Sequence, residues 1–329
     1  MAERESGIPV VVSGLGPVGR AVARAALASP ELSLVGAIDP KCEGRTLEAV
    51  LGERAPSLVV AGNATRALAS ARGGVLLQAT SSLFSEVLPQ IEQAVKAGVA
   101  VASTCEELAY PWLAHEEEAD ALDALCERHD VAVLATGVNP GFALDRLPAF
   151  LSQATGPVRH IEARRVVDLA SRRAGLARKA GVGLTPEEFQ RALDADEVGH
   201  VGLPESAALA ALGSGLELDE VEDEVEPVLA ARDLAGPLPV KKGRVSGVHQ
   251  TARGFFDGRE VVRLELVLAV GADDPRDELR LDSDPPLRLV VPGGIPGEAA
   301  TAWALVHATG ALPVLRGLVT VLDLPSGRP

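Results

Sequence analysis

The chain is 329 residues long, 47% hydrophobic and 23% charged, and its 46 acidic against 31 basic residues leave a net charge of −15. That length has room for two domains and the composition suits a globule with a large core. The acidity argues against nucleic acid or an anionic membrane as partner, and no apolar run approaches the roughly 18 residues a transmembrane helix needs.

Met1–Ser6 leads straight into a strand, leaving no room for a signal peptide. The apolar run Val10–Ser13 then flows into Gly14-Leu15-Gly16-Pro17-Val18-Gly19, a G-x-G-x-x-G turn, with a helix over Gly19–Ala28. In that pattern the first glycine permits the tight turn, and the second lets backbone approach a pyrophosphate. The third lets the helix pack on the strand, with its N-terminal amides facing the phosphates. A second strand, Leu34–Ile38, ends in Asp39, 20 residues beyond Gly19, where an acidic group takes the adenosine ribose hydroxyls. Strands at Leu58–Val60, Val75–Gln78, Ala100–Ser103 and Ala132–Ala135 alternate with helices around Arg66, over Phe84–Ala97 and over His115–His129. Such alternation predicts a doubly wound parallel sheet, a Rossmann-type dinucleotide-binding domain over residues 1–142. Gly137–Gly141 is a breaker cluster, the place for a hinge.

The second half predicts an α+β domain over residues 143–297 with an open mixed sheet, from strands at Arg159–Asp168, Gly243–Phe256, Val261–Val270 and Leu287–Val291. Thr185-Pro186-Glu187-Glu188 is a helix start, with an N-cap threonine and acids at the positive helix end. The acidic run Glu217–Glu226 reads as a solvated helix face or loop, and Asp282–Pro286 as a turn. A helix over Glu298–Thr309 opens a C-terminal segment, 298–329, that returns to the first domain.

Three loops follow strand ends of the first domain and face the nicotinamide end of a dinucleotide: Ala79-Thr80-Ser81-Ser82, Ser103-Thr104-Cys105-Glu106-Glu107 and Gly137–Phe142. Thr80, Ser81, Ser82, Thr104, Cys105 and Asn139 are therefore candidate cofactor contacts. The hydroxyls of the first loop serve a ribose or phosphate, or else cap a helix. Of two adjacent carboxylates, one can face the cleft while the other faces solvent or caps a helix. Desolvated beside a nicotinamide, a carboxylate becomes a usable proton acceptor; the alternative is that both are helix-start acids. Cys105 raises a further alternative, the nucleophile of an acylating semialdehyde dehydrogenase, against a plain buried thiol. The single tyrosine, Tyr110, has Ala114 four residues on, which removes a Tyr-x-x-x-Lys pair, and no His/Cys cluster has metal-ligand spacing. The three cysteines, Cys42, Cys105 and Cys126, suit a reducing cytoplasm.

Five blocks together resemble the 2,4-diaminopentanoate dehydrogenase family: Gly14–Arg20, Ser103–Trp112, Gly137–Phe142, Gly199–Ser206 and Lys241–Gln250. That family includes native NAD(P)-dependent amine dehydrogenases and shares a fold with dihydrodipicolinate reductase. The resemblance implies reversible oxidative deamination, an amine and NAD(P)⁺ giving a carbonyl compound, ammonia and NAD(P)H. It maps the carboxylate facing the substrate nitrogen to Glu106. It assigns Asn139, Pro140, Gly141 and Phe142 to substrate orientation, with Arg164, His200, His249 and Thr301 as further substrate residues, and implies a homodimer through the second domain's sheet. Asp39 favours NAD by repelling a 2′-phosphate, while Lys41 and Arg45 offset that repulsion enough for NADP to be tolerated. A cyclic-imine reductase of the dihydrodipicolinate type and a non-catalytic dinucleotide sensor stay open as alternatives.

Overall fold

A computed structural model describes residues 7–172 and 174–327; Met1–Ser6 lies outside the described residues. The chain divides into two compact units, one formed by residues up to Phe142 together with those from Pro296 onward, the other by Ala143–Ile295. Among the described residues twelve strands form two sheets.

The first unit contains β1 (Ile8–Ser13), β2 (Leu32–Ile38), β3 (Val75–Gln78), β4 (Ala100–Ser103), β5 (Ala132–Ala135) and, from the C-terminal segment, β12 (Gly317–Val319). All pair in parallel, in the order β2-β1-β3-β4-β5-β12. β3, β4 and β5 are buried along their whole length, which is why they read as short continuous apolar runs. The helix Pro17–Ala28 starts on a proline, whose missing N–H is no loss at a helix start. It buries Val22, Ala23, Ala25 and Ala26 and packs against the helix Gly297–Thr309.

The second unit holds β6 (His160–Asp168), β7 (Glu220–Leu229), β8 (Val245–Phe256), β9 (Arg259–Ala269), β10 (Arg276–Asp282) and β11 (Leu287–Pro292) in the order β11-β10-β6-β9-β8-β7. Only β6 and β9 run parallel, so the sheet is mixed. The helix Leu203–Gly213 is buried along most of its length and packs on β7, β8 and β9. Thr185 caps the helix Pro186–Asp194 as its sequence demands: its Oγ1 accepts the Glu188 amide at 3.1 Å, and Glu188 accepts the Thr185 amide at 2.7 Å.

Two expectations are corrected. The acidic run Glu217–Glu226 enters an edge strand, β7, exposed on most of both faces, so its carboxylates reach water without helix or loop. Leu58–Val60 forms no strand of its own; single bridges tie Val59 to Thr46 and Ala61 to Ile38. β10, β12 and the helix Leu203–Gly213 were not legible as elements.

Candidate active site

Ile38, Ser13, Gln78, Ser103 and Ala135 stand in one register row across the parallel sheet. Each is the last residue of its strand. The loops after them therefore leave along one edge, and these loops carry Gly14–Gly19, Asp39, Thr80–Ser82, Thr104–Glu107 and Asn139–Phe142. β1 lies between β2 and β3, so the strand order reverses there, the position where open α/β sheets take ligands.

The glycine turn fits a dinucleotide. A Cβ at Gly19 would lie 1.7 Å from the Gly14 carbonyl oxygen, so only glycine lets helix and turn approach this closely. Gly16 faces open space, with nothing within 4 Å of where its Cβ would stand. It caps the helix without a side chain, and no acidic residue occupies the first turn. The positive helix end at Pro17, Val18 and Gly19 thus keeps its pull on an anion. Asp39, half-buried, is fixed by two backbone amides: Oδ2 accepts from Leu15 at 2.8 Å and Oδ1 from Lys41 at 2.8 Å. Each oxygen retains a lone pair for a ribose hydroxyl.

A polar chain, exposed at Thr80 and buried from Gln78 to Cys105, links the next two loops. The Thr80 hydroxyl and Gln78 Nε2 both donate to Gln90 Oε1 at 3.2 Å. Gln78 Oε1 accepts from the Ser103 hydroxyl at 2.9 Å, and Ser103 Oγ accepts the Cys105 amide at 3.1 Å. Ser81 Oγ bonds the Glu86 carboxylate and accepts the Leu83 amide at 3.2 Å, so this hydroxyl serves the start of the helix Phe84–Lys96. Gln78 and Gln90 were missed; the one signal was a glutamine ending the apolar run of β3.

The adjacent glutamates divide. Glu107 Oε2 accepts the Phe84 amide at 2.6 Å and lies 3.5 Å from His115 Nε2. Glu106 is half-buried, and its carboxylate has no hydrogen-bond or ion-pair partner among the described residues. Cys105 is 1% exposed with Sγ 3.2 Å from the Ser82 carbonyl, and burial above all pushes its thiol up to about 12. Such burial is the environment of a packed thiol and counts against the acylating semialdehyde dehydrogenase alternative.

In the third loop, Pro140 and Gly141 are buried and Phe142 is 41% exposed. Gly141 has φ +122°, and a Cβ there would meet the Gly137 nitrogen at 2.3 Å. Thr301, from the helix Gly297–Thr309, accepts the Val138 amide on Oγ1 at 3.2 Å, holding the start of the Asn139 turn. The remaining expected residues lie in the second unit. Arg164 is exposed and 3.3 Å from Glu265. Gln250 grips the His200 backbone at both ends, Oε1 accepting its N–H at 2.8 Å and Nε2 donating to its carbonyl at 3.0 Å. His249 Nε2 is buried with no hydrogen-bond partner among the described residues. Arg165, the neighbour of Arg164, is committed to Asp277, both Oδ atoms at 2.8 Å.

Residues 142–328 match the family described as the 2,4-diaminopentanoate dehydrogenase C-terminal domain, more than half of the chain. A 2,4-diaminopentanoate dehydrogenase of Acetoanaerobium sticklandii is 27% identical over 340 residues, spanning 98% of this chain and 94% of that protein. Among solved structures, an amine dehydrogenase from Mycobacterium smegmatis superposes with a TM-score of 0.85 at 22% identity, covering 98% of this chain and 97% of that one. A dihydrodipicolinate reductase from Paenisporosarcina sp. TG-14 gives 0.52 at 13% identity, over 97% and 100% of the respective chains. Both likenesses are of fold. No helix among the described residues is long and apolar enough to cross a membrane.

Proposed function

The chain belongs to the 2,4-diaminopentanoate dehydrogenase family, and on that premise we propose that it is an NAD(P)-dependent amine dehydrogenase acting reversibly on small amines. The observation that carries the reading is Glu106, a carboxylate without a partner among the described residues, on the loop after β4 and beside loops built for a dinucleotide. Gly14, Gly16, Pro17, Val18 and Gly19 would hold the pyrophosphate and Asp39 the ribose, with Thr80, Ser81, Ser82, Thr104, Cys105 and Asn139 nearer the nicotinamide. When bound, the nicotinamide supplies the hydride acceptor, or in the reverse direction the donor.

An amine yields hydride only from its neutral form, so an ammonium proton must leave first. Glu106 takes that proton and passes it to solvent, returning to the carboxylate before hydride leaves. As hydride departs, positive charge develops on the substrate nitrogen, and the same carboxylate lowers the energy of the iminium cation. Glu106 then accepts a proton from the water that adds to the iminium carbon and delivers it to the nitrogen, so that the C–N bond breaks and ammonia leaves as the carbonyl forms. Asn139, Pro140, Gly141 and Phe142 orient the substrate. Thr301 contributes through the Val138 amide it holds. Arg164, His200 and His249 are assigned to the substrate's non-reacting end.

NAD is the favoured nucleotide with NADP tolerated, since Asp39 is fixed in place by two amides. A homodimer through the open face of the second sheet belongs to the same reading. Glu222, Glu224 and Glu226 line its β7 side and Arg276, Arg280 and Arg288 its β10–β11 side, so a two-fold axis can bring acidic and basic halves together.

Glu106→Gln keeps the shape and removes the proton acceptor. Amine-dependent NAD(P)⁺ reduction should fall about 10²–10⁴-fold, with NAD(P)H binding by fluorescence titration retained. A rate within a few-fold of the parent defeats the assignment. Ketone reduction should also require ammonium; reduction of a cyclic imine without ammonium dependence would favour the reductase alternative.

A further inference from the structure

The second glutamate of the pair has a task of its own. We infer that Glu107 is a positioning residue: it caps the helix Phe84–Lys96 from the neighbouring loop and thereby fixes the direction in which Glu106 projects. The inference rests on the assignment of the proton to Glu106.

The helix needs an outside cap. Its N-cap residue is Leu83, which has no side-chain acceptor for the free amides of the first turn. Glu107, 23 residues away in sequence, supplies one by accepting the Phe84 amide at 2.6 Å. What the helix end lacks is an acceptor within reach of its free amide, and the length of the Glu107 side chain supplies it. His115 closes the other side: its Nε2 lies 3.5 Å from Glu107 Oε2 while its ring packs on Phe84, centroids 5.4 Å apart. Phe84 is 1% exposed, so the helix start cannot drift without disturbing the core.

The rest of the loop is tied as well. Thr104 donates its amide to the Gln78 carbonyl at 2.9 Å and Glu107 donates its own to the Ser82 carbonyl at 3.3 Å. Cys105 is held through its amide by Ser103 and through its thiol by the Ser82 carbonyl. Residues 104, 105 and 107 are thus pinned on both sides of a residue whose side chain alone has no partner among the described residues. At the start of this 3-10 turn successive side chains diverge by about 120°, so drawing Glu107 to the helix directs Glu106 elsewhere. Misplacement of a reacting group by about 1 Å can cost on the order of 10²-fold.

The test is a double-mutant cycle on the full-length protein, with thermal melting to confirm folding. Glu107→Ala should lower kcat for amine oxidation by about 10–100-fold, while the KM for the nucleotide changes by less than about 3-fold. In a Glu106→Gln background the same change should cost nothing further, because Glu107 acts only through Glu106. Glu107→Gln, which keeps an acceptor at the same reach, should recover most of the loss. Glu107→Asp, which keeps the charge and loses the reach, should not; these two also carry the comparison if the alanine variant fails to fold. Multiplying losses in the double variant, a parental rate for Glu107→Ala, or an active Asp beside an inactive Gln variant would each overturn the inference and leave Glu106 in its role. A parental rate for Glu106→Gln would remove both.

Discussion

At the candidate site of the first unit carboxylates meet backbone amides. Asp39 holds those of Leu15 and Lys41, Glu107 that of Phe84, and Glu106 nothing among the described residues. In the second unit the two buried carboxylates of β10 meet arginines. Asp277 is gripped by Arg165, and Glu278 sits under Arg276, Arg280 and Arg288. The difference separates two uses of charge. An amide fixes a carboxylate's direction and leaves lone pairs for a ligand, whereas a guanidinium fork fills those lone pairs and neutralises the charge. The first arrangement suits recognition and proton transfer, the second cohesion of a sheet.

The sharpest test of the cohesive half is Arg165–Asp277, whose side chains are each 6% exposed. Asp277 also accepts the Ile295 amide at 2.7 Å, and Arg165 donates to the Ile295 carbonyl at 2.6 Å, so the pair anchors the chain where the second unit ends. Burial already pulls the guanidinium below its usual value. Asp277→Ala would leave that cation uncompensated and should cost about 3–5 kcal/mol in denaturant unfolding. A loss below about 1 kcal/mol would mean the pair is dispensable and would break the contrast.

Glu278 should give a smaller, pH-dependent effect. Burial opposes its ionisation, but hydrogen bonds from Arg276, Arg280 and Arg288 outweigh it and hold the carboxyl at about 2, below its ordinary 4.5. A depressed carboxylate stabilises the fold fully above the unfolded value and loses that contribution as pH falls. The window is therefore pH 4.5 down to about 2. Because Arg280 and Arg288 are 54% and 61% exposed, solvent screens the cluster, and the expected contribution is on the order of 1–3 kcal/mol. Glu278→Gln should lower stability at pH 7 by that amount and flatten the acid limb between those limits. An unchanged acid limb would show that the arginines do not hold the proton off.

The two halves differed equally in how far the sequence revealed them. Val75–Gln78, Ala100–Ser103 and Ala132–Ala135 were legible to the residue, because strands buried on both faces must be apolar throughout and end where a loop begins. β10, Arg-Asp-Glu-Leu-Arg-Leu-Asp, was not, because Asp277 occupies an inward position that only its partner Arg165 makes tolerable. β7 hid for the converse reason: as an edge strand it needs little apolar surface, so its acids mimic a solvated helix. In the candidate site the glycine turn, Asp39 and the glutamate pair announced themselves, each being set by local geometry. Which glutamate was spent came from the family resemblance alone, since the amide that takes Glu107 is 23 residues away, and the amide held by Thr301 is 163 away.

The recognition half is tested most gently at Asp39. Its carboxylate stands at the end of β2 with both oxygens already directed by amides, so it cannot swing aside to admit a second anion. A 2′-phosphate beside it would meet repulsion of about 1–4 kcal/mol at a separation near 4 Å, depending on solvent access. Lys41 and Arg45 are exposed close by in sequence and offset part of this. Asp39→Asn removes the charge and keeps one acceptor for the Leu15 or Lys41 amide. The ratio of kcat/KM for NADP to that for NAD should then rise by about tenfold, some 1.4 kcal/mol, with little change in melting temperature. A ratio that does not move would mean that the ribose binds elsewhere, and Asp39 would join the carboxylates that only hold the fold together.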